Sequence, residues 1–95
     1  MLTSKDRASL RKIANQLDTI LQVGKGGISE QVVKQADDAL EAREIIKGKV
    51  LENAPVFARE VAEELAEATN SEVVQVIGTK FVLYRKNKKN PKITF

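Results

Sequence analysis

At 95 residues, 42 % of them hydrophobic and 31 % charged, the chain is sized for one small domain around one modest core. It contains neither His nor Cys, which excludes disulfides, thiolate metal sites, imidazole proton transfer, nucleophilic triads and most zinc sites. A carboxylate-based or magnesium-dependent site is not excluded by this inventory. The net charge of +3 is unevenly spread: residues 52–72 carry one Arg against six Glu, a net −5 that leaves +8 on the remainder. Such segregation implies one face for an anionic partner and another turned away from it. No apolar run approaches the length of a bilayer-spanning helix, and Met1-Leu2-Thr3-Ser4-Lys5-Asp6 does not read as a signal peptide. The expectation is a monomeric cytoplasmic protein with no membrane partner, no small-molecule substrate, no metal and no cofactor.

Thr3 or Ser4 caps a first helix with Leu10, Ile13, Ala14 and Leu17 at helical spacing, ending at Asp18. Arg7 and Arg11 stand four apart, one turn from each other on one side of it. Thr19-Ile20-Leu21-Gln22-Val23 reads as a short buried strand. Val23-Gly24-Lys25-Gly26-Gly27-Ile28-Ser29 follows, a glycine-rich corner that leads into a Ser-capped helix. Glycine permits positive φ and close backbone approach, while a helix N-terminus presents unpaired N–H groups and partial positive charge. With Lys25 as a mobile cation, the corner suits a phosphate backbone; a plain strand-to-helix turn is the competing reading.

The second helix carries the stripe Val32, Val33, Ala36, Ala39 and Leu40, with Ile28 placed to pack on Val33 and acids on the outer side. From Glu44 to Leu51 the period changes to two. Ile46, Gly48 and Val50 share one face, and Ile45, Lys47, Lys49 and Leu51 share the other. Lys47 and Lys49 therefore stand about 6.6 Å apart at a rise of about 3.3 Å per residue, near the phosphate repeat of an extended strand.

Asn53-Ala54-Pro55 punctuates the chain before a third helix that is expected to bury Phe57, Val61 and Leu65 and to expose Glu60, Glu63, Glu64 and Glu67. After Thr69-Asn70-Ser71, strands over Val73–Ile77 and Phe81–Arg85 flank a two-residue turn, Gly78-Thr79. Residues 86–95 read as a basic tail outside a domain of residues 1–85. The order α-β-α-β-α-β-β implies a compact α/β (α+β) domain, a four-stranded mixed sheet packed with helices.

A P-loop spacing is absent, and the dinucleotide fingerprint fails because position 29 is Ser. What fits is G-x-x-G, Gly24-Lys25-Gly26-Gly27, the loop with which KH domains clamp a single-stranded backbone.

The chain as a whole resembles the YhbY family of bacterial CRM-domain proteins, named for chloroplast RNA splicing and ribosome maturation. The resemblance rests on Leu2-Thr3 with Arg7, Leu10, Arg11 and Ala14, and on Gln22-Val23-Gly24-Lys25-Gly26-Gly27. It continues through Asp38-Ala39-Leu40-Glu41-Ala42-Arg43-Glu44 and Ala62-Glu63-Glu64-Leu65-Ala66-Glu67-Ala68-Thr69. Val74-Gln75-Val76-Ile77-Gly78 and Val82-Leu83-Tyr84-Arg85 complete it, so that it covers residues 2 to 85. The chain departs from the family pattern at Asn15-Gln16-Leu17-Asp18, which lacks a His and a Pro, and at Gly48, where a larger apolar residue is expected and looser packing follows.

The resemblance implies a fold similar to the C-terminal domain of translation initiation factor three, and association with ribosomal RNA of the large-subunit precursor. The candidate RNA-binding residues are Gly24, Lys25, Gly26, Gly27, Arg7, Arg11, Lys47, Lys49 and Arg85. The alternative is an adaptor that holds a basic ribosomal protein through the acidic third helix.

Overall fold

In the computed structural model, which describes residues 2–87, three helices and four strands alternate as expected, and each boundary has a local cause. Helix α1 (Ser4–Ala14) opens on a capping box, Thr3 and Asp6 each accepting the other's backbone N–H at 3.1 Å. It stops earlier than Asp18, because the N–H groups of Gln16 and Leu17 bond only three residues back and tighten the last turn. Strand β1 (Leu21–Val23) is correspondingly short. Helix α2 (Glu30–Arg43) is capped by Ser29, whose hydroxyl accepts the Val32 N–H at 3.3 Å. It ends at Glu44, a buried residue with φ of 67° that turns the chain directly into β2 (Ile45–Val50). Helix α3 (Ala58–Thr69) ends on left-handed Asn70. Strands β3 (Glu72–Ile77) and β4 (Lys80–Tyr84) close through Gly78-Thr79, with positive φ at Gly78 alone, the pattern of a Gly-X hairpin turn.

The sheet order is β1-β2-β4-β3, with β1 and β2 parallel and the other pairs antiparallel. Helices α2 and α3 cover one face, where Ala36, Leu40, Val61 and Leu65 pack on Leu21, Val23, Ile46, Val50, Phe81 and Leu83. The second face is covered only in part. Helix α1 places Leu10 and Ala14 on Ile45, Val74, Val82 and Tyr84, and the half of that face toward the C-terminal ends of β1 and β2 stays open.

The structure departs from two sequence expectations. Phe57 is not core: it stands at the N-cap position of α3, 78 % exposed, and the helix begins one residue later. Gly48 does not loosen its strand, because the Phe81 ring occupies the space above it; a Cβ there would fall 2.3 Å from Phe81 Cζ. A β-bulge between Val73 and Gln75 also lets Val73 and Val76 share the α2/α3 face, although they lie three residues apart.

Candidate nucleic-acid interface

The parallel β1–β2 pair decides the geometry of the site. Helix α2 leaves the C-terminal end of β1 and α3 follows the C-terminal end of β2, so both helices start at the same end of the sheet. The β3–β4 turn joins them there: Lys49 pairs with Lys80, and the Val50 N–H donates to Thr79 O at 2.7 Å. The Gly24–Gly27 loop belongs to the same end, held by the Leu51 N–H donating to Val23 O at 2.8 Å.

Within that loop the Gly27 N–H donates to Gly24 O at 2.9 Å and closes a β-turn with Lys25 and Gly26 at its tip, both exposed. The two later glycines have different reasons to be there. Gly27 has φ of +65°, which a side chain adopts only with strain, and a Cβ on it would lie 3.6 Å from Pro55 Cγ. Gly26 lies outside the left-handed region, and a Cβ on it would meet nothing within 4 Å. Folding thus explains Gly27 and leaves Gly26 unexplained.

Beside the loop, the open half of the sheet carries a cross-strand row: Gln22 pairs with Lys49, Lys49 with Lys80, and Lys80 with Ile77. Lys47 lies two residues back along β2 on the same face. There Asn15, Lys47, Gln75, Ile77, Lys80 and Val82 line a depression of about 110 Å³. Among the described residues no salt bridge engages Lys25, Lys47, Lys49 or Lys80. Like charges placed opposite each other across a sheet are destabilising, so the Lys49–Lys80 pair works against the isolated fold. Glu52 shares a shallow surface with Lys49 and Thr79.

The nine candidate residues therefore divide. Gly24, Lys25, Gly26, Gly27, Lys47 and Lys49 converge at one end of the sheet. Arg11 is exposed on α1 and unpaired among the described salt bridges. Arg7 donates to the carbonyl of Val73 and ties α1 to β3. Arg85 is at the far end of β4, where its guanidinium donates to Asp37 Oδ1 at 2.6 Å, Thr69 O at 2.8 Å, Asp37 O at 3.0 Å and Glu41 Oε2 at 3.3 Å. It joins α2 to the end of α3. Lys80, which is not among the nine, joins Lys47 and Lys49 on this face. The hairpin turn was the available signal, since a two-residue loop sets Lys80 opposite Ile77, but the strand on its other side is not legible locally. The exposed Glu60, Glu63, Glu64 and Glu67 lie on α3, which packs against the opposite face of the sheet.

The chain is thus a small α+β domain with a glycine-turn corner and an adjoining lysine-bearing sheet face, and comparison with known proteins narrows the class. The chain belongs to the CRS1/YhbY (CRM) domain family, whose model matches residues 2–85. It is 46 % identical over 93 residues to Probable RNA-binding protein YqeI of Bacillus subtilis, covering 98 % of this chain and 97 % of that one. It is 42 % identical over 86 residues to Probable RNA-binding protein MJ0652 of Methanocaldococcus jannaschii, covering 88 % of this chain and 63 % of the relative. The solution structure of SAV1595 from Staphylococcus aureus, a candidate RNA-binding protein, superposes with a TM-score of 0.82 at 52 % identity, covering 99 % and 98 % of the two chains.

Proposed function

We propose that this domain is a non-catalytic RNA-binding module in which the Gly24–Gly27 turn clamps a single-stranded backbone. Lys25, Lys47, Lys49 and Lys80 neutralise the phosphates on either side. The observation that carries this reading is Gly26, a glycine at an exposed turn tip that neither φ nor crowding requires. The absence of a side chain there matters only if another molecule comes close to the backbone. The names of the relatives support RNA as that molecule, and the lack of His and Cys supports a binding rather than a catalytic role. The resemblance to YhbY proteins supports ribosomal RNA of the large-subunit precursor as the natural ligand and the cytoplasm as the place of action.

The test is RNA binding, followed by fluorescence anisotropy, for the parent chain and Gly26→Asp. The variant should keep the parent's melting temperature and lose most of its affinity. Unchanged affinity in a folded Gly26→Asp chain would remove the loop from the interface. Immunoprecipitation with and without nuclease treatment separates this reading from an adaptor role of the acidic α3, because an adaptor's partners would survive RNA digestion.

A further inference from the structure

Among the described residues Phe57 is the most exposed large hydrophobic side chain, at 78 %, and it occupies a position where folding favours something else. N-cap positions prefer Ser, Thr, Asp or Asn, whose side chains accept a first-turn N–H. The other two helices obey this rule with Thr3 and Ser29, whereas the N-cap of α3 is Phe57, with no side-chain cap bond. An apolar ring in water that also displaces a cap serves neither local nor core stability. Rules broken in this way concentrate at functional sites.

The location is specific. Between β2 and α3 the chain alternates: Ala54 and Val56 pack on the larger core, while Pro55 and Phe57 turn outward. Pro55 is the residue that abuts Gly27. Phe57 follows two residues later, so its Cα lies within about 7 Å of that of Pro55. The exposed Arg59 comes next on the first turn of α3.

We infer that Phe57 is a stacking platform for an unpaired nucleobase beside the phosphate held by the glycine turn, so that the ligand is single-stranded at this point. The inference rests on the clamp reading and adds to it a base-stacking contact. A base inside a duplex has both faces covered by its neighbours, whereas a splayed base offers a free π-face to an aromatic ring. The exposed residues around Phe57 in the chain, Pro55, Arg59 and Glu60, do not form the broad apolar centre of a protein interface.

Because the chain has no Trp, Phe57→Trp installs a single indole whose emission reports stacking directly. The probes are a short oligoadenylate and a ribose-phosphate chain of equal length without bases, both at low salt. Oligoadenylate should quench the indole while the abasic chain binds without quenching. Phe57→Ala should keep the parent's melting temperature. It should lose about 5- to 150-fold in affinity for oligoadenylate, the range of one base–aromatic stack, and nothing for the abasic chain. If the indole is unmoved and Phe57→Ala binds oligoadenylate as the parent does, while Gly26→Asp still weakens binding, the platform is refuted and the clamp stands. If the parent binds neither probe, the clamp reading fails and the platform with it. If Phe57→Ala changes sedimentation of the free protein rather than RNA binding, Phe57 belongs to a contact between copies and the inference is overturned.

Discussion

The ring of Phe81 lies over the backbone of Gly48, its cross-strand partner on β2, so closely that a Cβ at Gly48 would sit 2.3 Å from Phe81 Cζ. Both residues are buried, and a Cβ on Gly48 would meet Cζ, Cε1 and Cε2 of the ring, so the ring would have to shift within the core. Gly48→Ala should therefore destabilise the domain by about 1–3 kcal/mol, the range for overpacking a filled core. Combined with Phe81→Leu, the second change should cost less than the two separately, since the smaller side chain makes room for the methyl group. Chemical denaturation of the four proteins of the cycle measures this, and strict additivity would show that the two residues do not share the space.

The glycine turn divides stability from binding. Gly27→Ala should cost about 1–2 kcal/mol, because its φ of +65° forces a side chain into the left-handed region. Gly26→Asp should leave stability within about 0.5 kcal/mol, as for other unconstrained surface positions, and should weaken RNA binding by at least about tenfold, or about 1.4 kcal/mol. Thermal unfolding and anisotropy on the same two variants give opposite orders of severity if the turn is the clamp.

Four lysines facing phosphate imply a slope of log K against log salt of about −3, at about 0.7 per contact with a single strand. Lys80→Ala should reduce the slope by about 0.7. It should also slightly stabilise the free domain by removing the cross-strand repulsion with Lys49. A flat salt dependence would eliminate the lysine face as the RNA contact.

Changing Glu60, Glu63, Glu64 and Glu67 to Gln should leave RNA affinity nearly unaltered beyond long-range screening. Glu60 with Glu64 and Glu63 with Glu67 are like charges four apart on α3. Their removal should stabilise the helix by about 0.2–0.5 kcal/mol per pair. A tenfold loss of affinity in a folded variant would put α3 in the interface.

Arg85→Ala should cost about 1–3 kcal/mol, since it strands the carbonyl of Thr69 and opens the join between α2 and the end of α3. Its carboxylate partners are more than half exposed, so most of this loss comes from the backbone acceptors rather than from the ion pairs. RNA affinity measured well below the melting point should be unchanged, in contrast to what the basic character of Arg85 suggests.

Tyr84 is the only Tyr in the chain, and burial pushes its hydroxyl above the ordinary value of 10.0, with Glu44, Asp6 and Glu72 adding in the same direction. Between the unfolded value and the higher folded one, the native chain holds a proton that the unfolded chain has released. Its contribution to stability is therefore complete below about pH 10 and is lost as pH rises toward the folded value. Phenolate absorbance should show a single transition displaced upward in the folded protein, and it should return to the ordinary value in denaturant.

The amino-acid sequence by itself determined the elements and their inner faces. Apolar residues at helical or alternating spacing, Thr3 and Ser29 as caps, and Gly78-Thr79 as a two-residue turn are signals between residues a few positions apart. They read correctly because a helix turn or a strand pleat is equally local. The G-x-x-G turn and the ordered motifs along residues 2–85 were legible for the same reason. Which cations share a surface was decided only by tertiary structure. The β1-β2-β4-β3 order and the Lys49–Lys80 register bring Lys80 beside Lys47 and Lys49, whereas Arg7 bonds to Val73 and Arg85 to Asp37 and Thr69. Phe57 was misread on similar grounds. Its spacing to Val61 and Leu65 is helical, but Val56 packs inward just before it, so α3 starts one residue beyond Phe57 and leaves the ring outside. Gly48 shows the converse, a weakness in its own strand that the facing strand fills with Phe81. Except for Phe57, each of these outcomes depends on a residue distant in sequence, and no pattern within one segment contains it.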